Sequence, residues 1–159
     1  MKEFILLIVI GYILLLLDVT IFASIQFSYF RIEGIIPLVI WYGLKCKNFE
    51  PIIVVIILAL IAGTFTYAST SVWILCLCIG YILAYYIYSQ ISNLAWYQHI
   101  LLLWFITSVM VVILMFGTDA TDLIWPYGIT EAFILAIFCP LWFYFFDFLF
   151  EIFLLKEEK

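Results

Sequence analysis

Apolar residues run through this chain in long blocks, broken by short polar stretches that carry most of its charge. The blocks lack the period-two alternation of barrel strands, so they predict helices. The pattern centres on residues 51–88, PIIVVIILALIAGTFTYASTSVWILCLCIGYILAYYIY, two uncharged runs joined by Ala68-Ser69-Thr70-Ser71. At about 1.5 Å per residue, each run is expected to cross a hydrocarbon core of roughly 30 Å. Gly63 and Gly80 interrupt the runs, where a soluble helix would lose about 1 kcal/mol to each relative to alanine. In lipid such positions allow close helix approach, and Ala59-xxx-Gly63 and Gly80-xxx-Ala84 both have small-xxx-small spacing. A tight membrane hairpin is expected here, with the other helices packed upon it.

Extended along the chain, the pattern predicts about six spans, at residues 4–23, 32–44, 51–67, 72–89, 97–117 and 128–155, in a single transmembrane domain covering 1–159. The first block resembles a signal-peptide core, but Ala23-Ser24 is a poor cleavage site and the apolar pattern continues past Asp18, so an uncleaved helix is expected. Residues 24–33 are mixed and aromatic, with Arg31 and Glu33, and fit an interfacial segment before a turn at Gly34. The following run, 35–44, is short: ten residues make a helix of about 15 Å, so it is either extended backwards or re-entrant. Pro37 and Pro51 suit the first turns of their helices, where a missing N–H is tolerated.

Charge decides the expected orientation. With six spans and a cytoplasmic N-terminus, Lys2, Lys45, Lys47, Lys156 and Lys159 fall inside and Arg31 alone falls outside. A re-entrant second segment would erase that bias, so six spans with both termini cytoplasmic is the preferred topology. Trp41, Tyr42, Trp96 and Tyr97 would then mark the inner interface, and Tyr67, Trp73, Trp125 and Tyr127 the outer one.

Composition sharpens the class. Of 159 residues, 69% are hydrophobic and 11% charged, with a mean hydropathy of +1.31, too apolar for a soluble domain of this size. An all-α integral membrane protein is expected. A net charge of -5 argues against nucleic acid as a partner.

Candidate chemistry is sparse. Asp18 interrupts an apolar helix, where an acid is expensive unless paired or solvated; it is either functional, or it snorkels outward or pairs with Arg31. Asp147 and Glu151 share one face of the last helix, too few oxygens for calcium, with Lys156 nearby and a wet inner interface as the simpler reading. Glu131 suits the first turn of that helix, and Pro140 is expected to kink it. Cys76, Cys78 and Cys139 read as small buried hydrophobes, and Cys46 as a reduced thiol. His99 is the single histidine, and no catalytic or nucleotide-binding motif is present. Neither a metal nor a cofactor is expected, and catalysis by this chain alone is not.

Several stretches resemble the rod shape-determining MreD family of the bacterial inner membrane. They are GIIPLVIWYGLK at 34–45, ILALIAGTFTYASTSVW at 57–73, IGYILAYYI at 79–87 and the proline-containing AIFCPLWFYFFDFLFE at 136–151. The resemblance implies a six-helix fold similar to the substrate-binding subunits of energy-coupling-factor transporters. It implies a non-catalytic scaffold of the cell-elongation (peptidoglycan synthesis) machinery, binding MreC and working beside RodA and a class B penicillin-binding protein. The competing expectation is a vitamin-binding subunit of such a transporter, with Asp18, Glu131 and Trp125 lining an outward pocket. Its coupling surface should be rich in small residues along the first helix, where only Gly11 is small early on.

Overall fold

A computed structural model describes residues 2–22, 34–45, 51–66, 68–90, 96–117 and 128–155, and everything described is helix or a short connection between helices. Helix α1 is Lys2–Leu17, continued by a wider π-helical turn over Asp18–Phe22. The others are α2 (Ile35–Lys45), α3 (Ile52–Phe65), α4 (Thr70–Gln90), α5 (Trp96–Gly117) and α6 (Ile129–Leu155). Arg31, Cys46, Lys47, Tyr67, Asp119, Asp122, Trp125, Pro126, Tyr127, Lys156 and Lys159 lie outside the described residues.

Among the described residues, four helices are long and apolar enough to cross a membrane: α1 together with its π-helical turn, α4, α5 and α6. The segments expected at 32–44 and 51–67 form the two shorter apolar helices among the described residues. Helix α2 has 11 residues and α3 has 14, or about 16 and 21 Å of rise. The end of α3 is held by side chains. Thr66 leaves the helix in an extended conformation, and its hydroxyl donates back to the Ala62 carbonyl at 3.0 Å while accepting the indole N–H of Trp73. The turn is thereby fixed, and α4 starts at once. Nor is the first helix regular to residue 23, because the chain widens at Asp18.

Helix α4 is the hub, packed against α2, α3 and α5, while α6 packs on α5 and α2 and α1 on α3 and α2. Lipid tails are as apolar as leucine, so these contacts rest on van der Waals fit and interhelical hydrogen bonds. Gly63 shows the fit most plainly: an added Cβ would lie 2.7 Å from the Cα of Thr70, so backbone meets backbone at the α3–α4 turn. The expected hairpin is therefore a tight one. The second pair of small residues serves two neighbours, Gly80 against Met110 of α5 and Ala84 against Gly43 of α2. Ala59 is fully buried.

The α5–α6 contact has a polar peg. Thr107 is fully buried, and its hydroxyl lies 2.8 Å from its own helix's Leu103 carbonyl and 2.9 Å from the Ala132 carbonyl of α6. Thr107→Val keeps the shape and removes the donor. It should destabilise the protein by about 0.6–1.7 kcal/mol, the measured scale for such bonds in membranes, read as a lower thermal midpoint in detergent; an unchanged midpoint would show that the hydroxyl contributes nothing to holding α5 on α6.

The aromatic belt expected from sequence is partly overturned. Trp41, Tyr42 and Trp73 are 5%, 5% and 2% exposed, which makes them core residues rather than interfacial anchors. Their rings fill space between helices, and the indole N–H groups of Trp41 and Trp73 find acceptors inside the protein.

Candidate functional site

Helix α2 is the unusual element. Every residue from Gly34 to Gly43 is buried, so this helix is sheathed by α1, α4 and α6 and meets little lipid or water. Its apolar sequence, with Pro37 in the first turn, suits that position on all faces. Its start is buried, where an unpaired backbone N–H would be costly, while Lys45 at its other end is exposed. Both ends are met by acids singled out in the sequence.

At the start, the Asp18 carboxylate accepts the backbone N–H of Gly34 with both oxygens, at 3.2 and 3.1 Å. A negative group there also suits the positive end of the α2 dipole. Gly34 is hemmed in by Leu14, Trp142 and Asp18 itself, with an added Cβ 3.1 Å from the Leu14 side chain. The wide turn at Asp18 is supported by Thr20, whose hydroxyl donates to the Leu16 carbonyl at 2.6 Å. Of the readings the sequence left open for Asp18, pairing with Arg31 lies outside the described residues; the carboxylate caps a neighbouring helix across 16 residues of chain.

At the far end, Lys45 Nζ stands 2.7 Å from Asp147 of α6, and the Trp41 indole N–H donates to the same carboxylate at 3.0 Å. The ammonium also lies 5.8 Å from the Trp41 ring centroid, and that ring packs on Phe146 and Phe150. Sequence reasoning offered Lys156 as the compensating charge for Asp147; Lys45, in the last turn of α2, is the partner found. With the two side chains 55% and 44% exposed, the ion pair by itself contributes under about 1 kcal/mol. The Trp41 bond is another matter, since removing the acceptor leaves a buried indole N–H unpaired. Asp147→Ala should therefore lower thermal stability more than Lys45→Ala, by about 1–2 kcal/mol; equal effects in a detergent melt would assign the whole interaction to the charges.

The remaining candidates have structural settings. Glu131 occupies the first turn of α6, as expected. Pro140 sits inside an α6 that continues through it unbroken, and lines a crevice of about 280 Å³ with Leu44, His99, Leu102, Leu103 and Phe143. Asp18 and Glu131 do not line this crevice. Cys76 and Cys139 are buried and Cys78 half-buried, and the Cys76 thiol lies 3.5 Å from the Met110 carbonyl. Among the described residues no group of His, Cys, Asp and Glu side chains has the arrangement of a metal site.

Sequence reasoning missed Gly43 and Thr107, and gave Trp41 an interfacial place rather than its bond to Asp147. Gly43 lets α2 reach α4, its absent Cβ lying 2.9 Å from that of Ala84 and 3.0 Å from the Tyr81 carbonyl oxygen. No small-xxx-small spacing marks it; the available signal was the unbroken apolar character of α2 around a lone glycine.

Fold and site together define an all-helical protein with four helices able to cross a membrane, built around a short enclosed helix that acids hold at both ends. No family model, curated protein or solved structure matches the chain.

Proposed function

We propose that this protein is a non-catalytic scaffold of the bacterial cell-elongation machinery, an MreD-like inner-membrane protein that binds MreC and supports RodA and its class B penicillin-binding protein. In this reading both termini are cytoplasmic. One observation carries most of the weight: the candidate acids Asp18 and Asp147 are engaged with α2, while the outward faces are apolar and aromatic. Asp18 caps α2 and Asp147 takes the Trp41 N–H and the Lys45 ammonium. On α6 alone, Phe138, Leu141, Tyr144 and Phe148 are all more than half exposed. The resemblance at 34–45, 57–73, 79–87 and 136–151 supplies the particular assignment. The transport alternative has less support, because Asp18, which it places in a ligand pocket, is committed to the backbone of Gly34.

Co-expression with MreC, with a photoreactive residue at Phe138 or Phe148, is the direct test. The expected result is a crosslink to MreC from at least one of the two positions and co-purification of the pair. A protein that purifies with a bound vitamin and never captures MreC would replace this reading with transport.

A further inference from the structure

We propose that the outward face of α3 is a bilayer-thinning surface, whose partner is phospholipid with acyl chains shorter than those of the surrounding membrane. Ile53, Leu60 and Phe65 are exposed on this face, Ile53 by 63%. The exposed Thr64 turns its hydroxyl back onto the Ile61 carbonyl at 2.7 Å, so it asks nothing of its surroundings. Helix α3 packs against α1 and α4, two of the helices able to cross a membrane, which puts it at the depth of the hydrocarbon.

The length of α3 selects which lipid. At one end Thr66 is extended and Ser69 is exposed, and irregular backbone facing lipid does not occur within the hydrocarbon. At the other end Lys47, Asn48 and Glu50 lie just ahead of Pro51 in the sequence, and charges are expensive at membrane depth. From Pro51 to Thr66 the rise is about 22 Å, against a hydrocarbon core of about 30 Å. Tilting the helix would shorten that span further. Helix α4 gives the same level. Gly63 touches Thr70, so equal steps along this antiparallel pair bring Ile52 alongside Tyr81. Tyr85 and the 64%-exposed Tyr86, rings suited to an interface, follow at once. Helix α5 differs: its apolar window Gln98–Gly117 has 20 residues, about 30 Å, and fits an ordinary core. The protein therefore falls short of the bilayer by about 8 Å on the α3 side. Neither end of α3 can be drawn into the hydrocarbon cheaply, whereas thinning the lipid costs fractions of a kcal/mol per Å. Lipid yields first, and short chains yield least. This surface is independent of any scaffold partner.

The test uses the full-length protein in vesicles of dimyristoleoyl- and dioleoyl-phosphatidylcholine in equal parts, each doped with its own chain-end diazirine analogue. The two adducts differ in mass, so mass spectrometry of peptic peptides gives a short-to-long ratio at each labelled position. Peptides covering Ile53 and Leu60 should show a ratio about threefold above that of the vesicle. Those covering Leu101 and Phe105, exposed on α5, should match the vesicle. A ratio on α3 no higher than the vesicle's would overturn the proposal. So would an α3 left unlabelled while α5 is labelled, because a second copy or another protein would then cover it. Equal enrichment on α3 and α5 would overturn the assignment to α3.

Discussion

Asp18→Ala is expected to destabilise the protein more than removal of Asp147 or Glu131. The carboxylate is the acceptor for the first N–H of an enclosed helix, at 3.1 and 3.2 Å, in surroundings that include Leu14 and Trp142. Alanine takes away a charged acceptor and leaves Gly34 N–H without it, away from bulk water. A charge-assisted bond of this kind contributes about 1.5–3 kcal/mol. Asn keeps one oxygen in place without the charge, so Asp18→Asn should retain about half of that. Thermal unfolding in detergent, followed by loss of a monodisperse peak, would order the three proteins as unaltered, Asn, then Ala. If Ala and Asn melted with the unaltered protein, the carboxylate would not be holding α2, and a role in binding would become the better account of an acid at this depth.

Substitution of the two interior glycines should separate backbone contact from side-chain contact. At Gly63 a Cβ would meet the Cα of Thr70 at 2.7 Å, and backbone cannot step aside without moving α3 from α4. At Gly80 it would meet the Met110 side chain, whose thioether has other rotamers to take. Overpacking of a fitted core costs about 1–3 kcal/mol and more where nothing yields. Gly63→Ala is therefore expected at or above the top of that range, and Gly80→Ala near the bottom. The measurement is again the thermal midpoint in detergent, and the order of the two variants decides. Equal midpoints would mean that the α3–α4 turn relaxes as easily as a methionine rotates.

Much of this was legible beforehand because the relevant physics is local. Apolar run length located all six helices, and the starts of α3, α5 and α6 fall within a residue or so of expectation. Asp18, Asp147, Gly63, Gly80 and Ala84 each sit at a contact between helices, and Pro140 lines the crevice. Less legible were the exact stop of α3 and the exposure of aromatic residues. An apolar run sets an upper limit on a helix, while the stop at Phe65 depends on a hydroxyl and an indole brought together by the turn itself. Trp41 and Trp73 look interfacial in a sequence because tryptophan has a polar atom; an internal acceptor for that atom makes burial favourable instead, and acceptors are not visible in composition.

By itself the sequence determined that the chain folds as helices, that several of them are long and oily enough for a bilayer, and where small residues permit close approach. Those outcomes follow from periodicity, length and side-chain volume, each readable within one segment. Only the tertiary structure decided that α2 is enclosed, that Asp18 and Asp147 belong to its two ends, and that Gly43 rather than a spaced pair admits it to α4. These depend on which segments become neighbours, for a buried donor must find its acceptor wherever the packing places it, 16 residues away for the Gly34 N–H and 106 for the Trp41 indole.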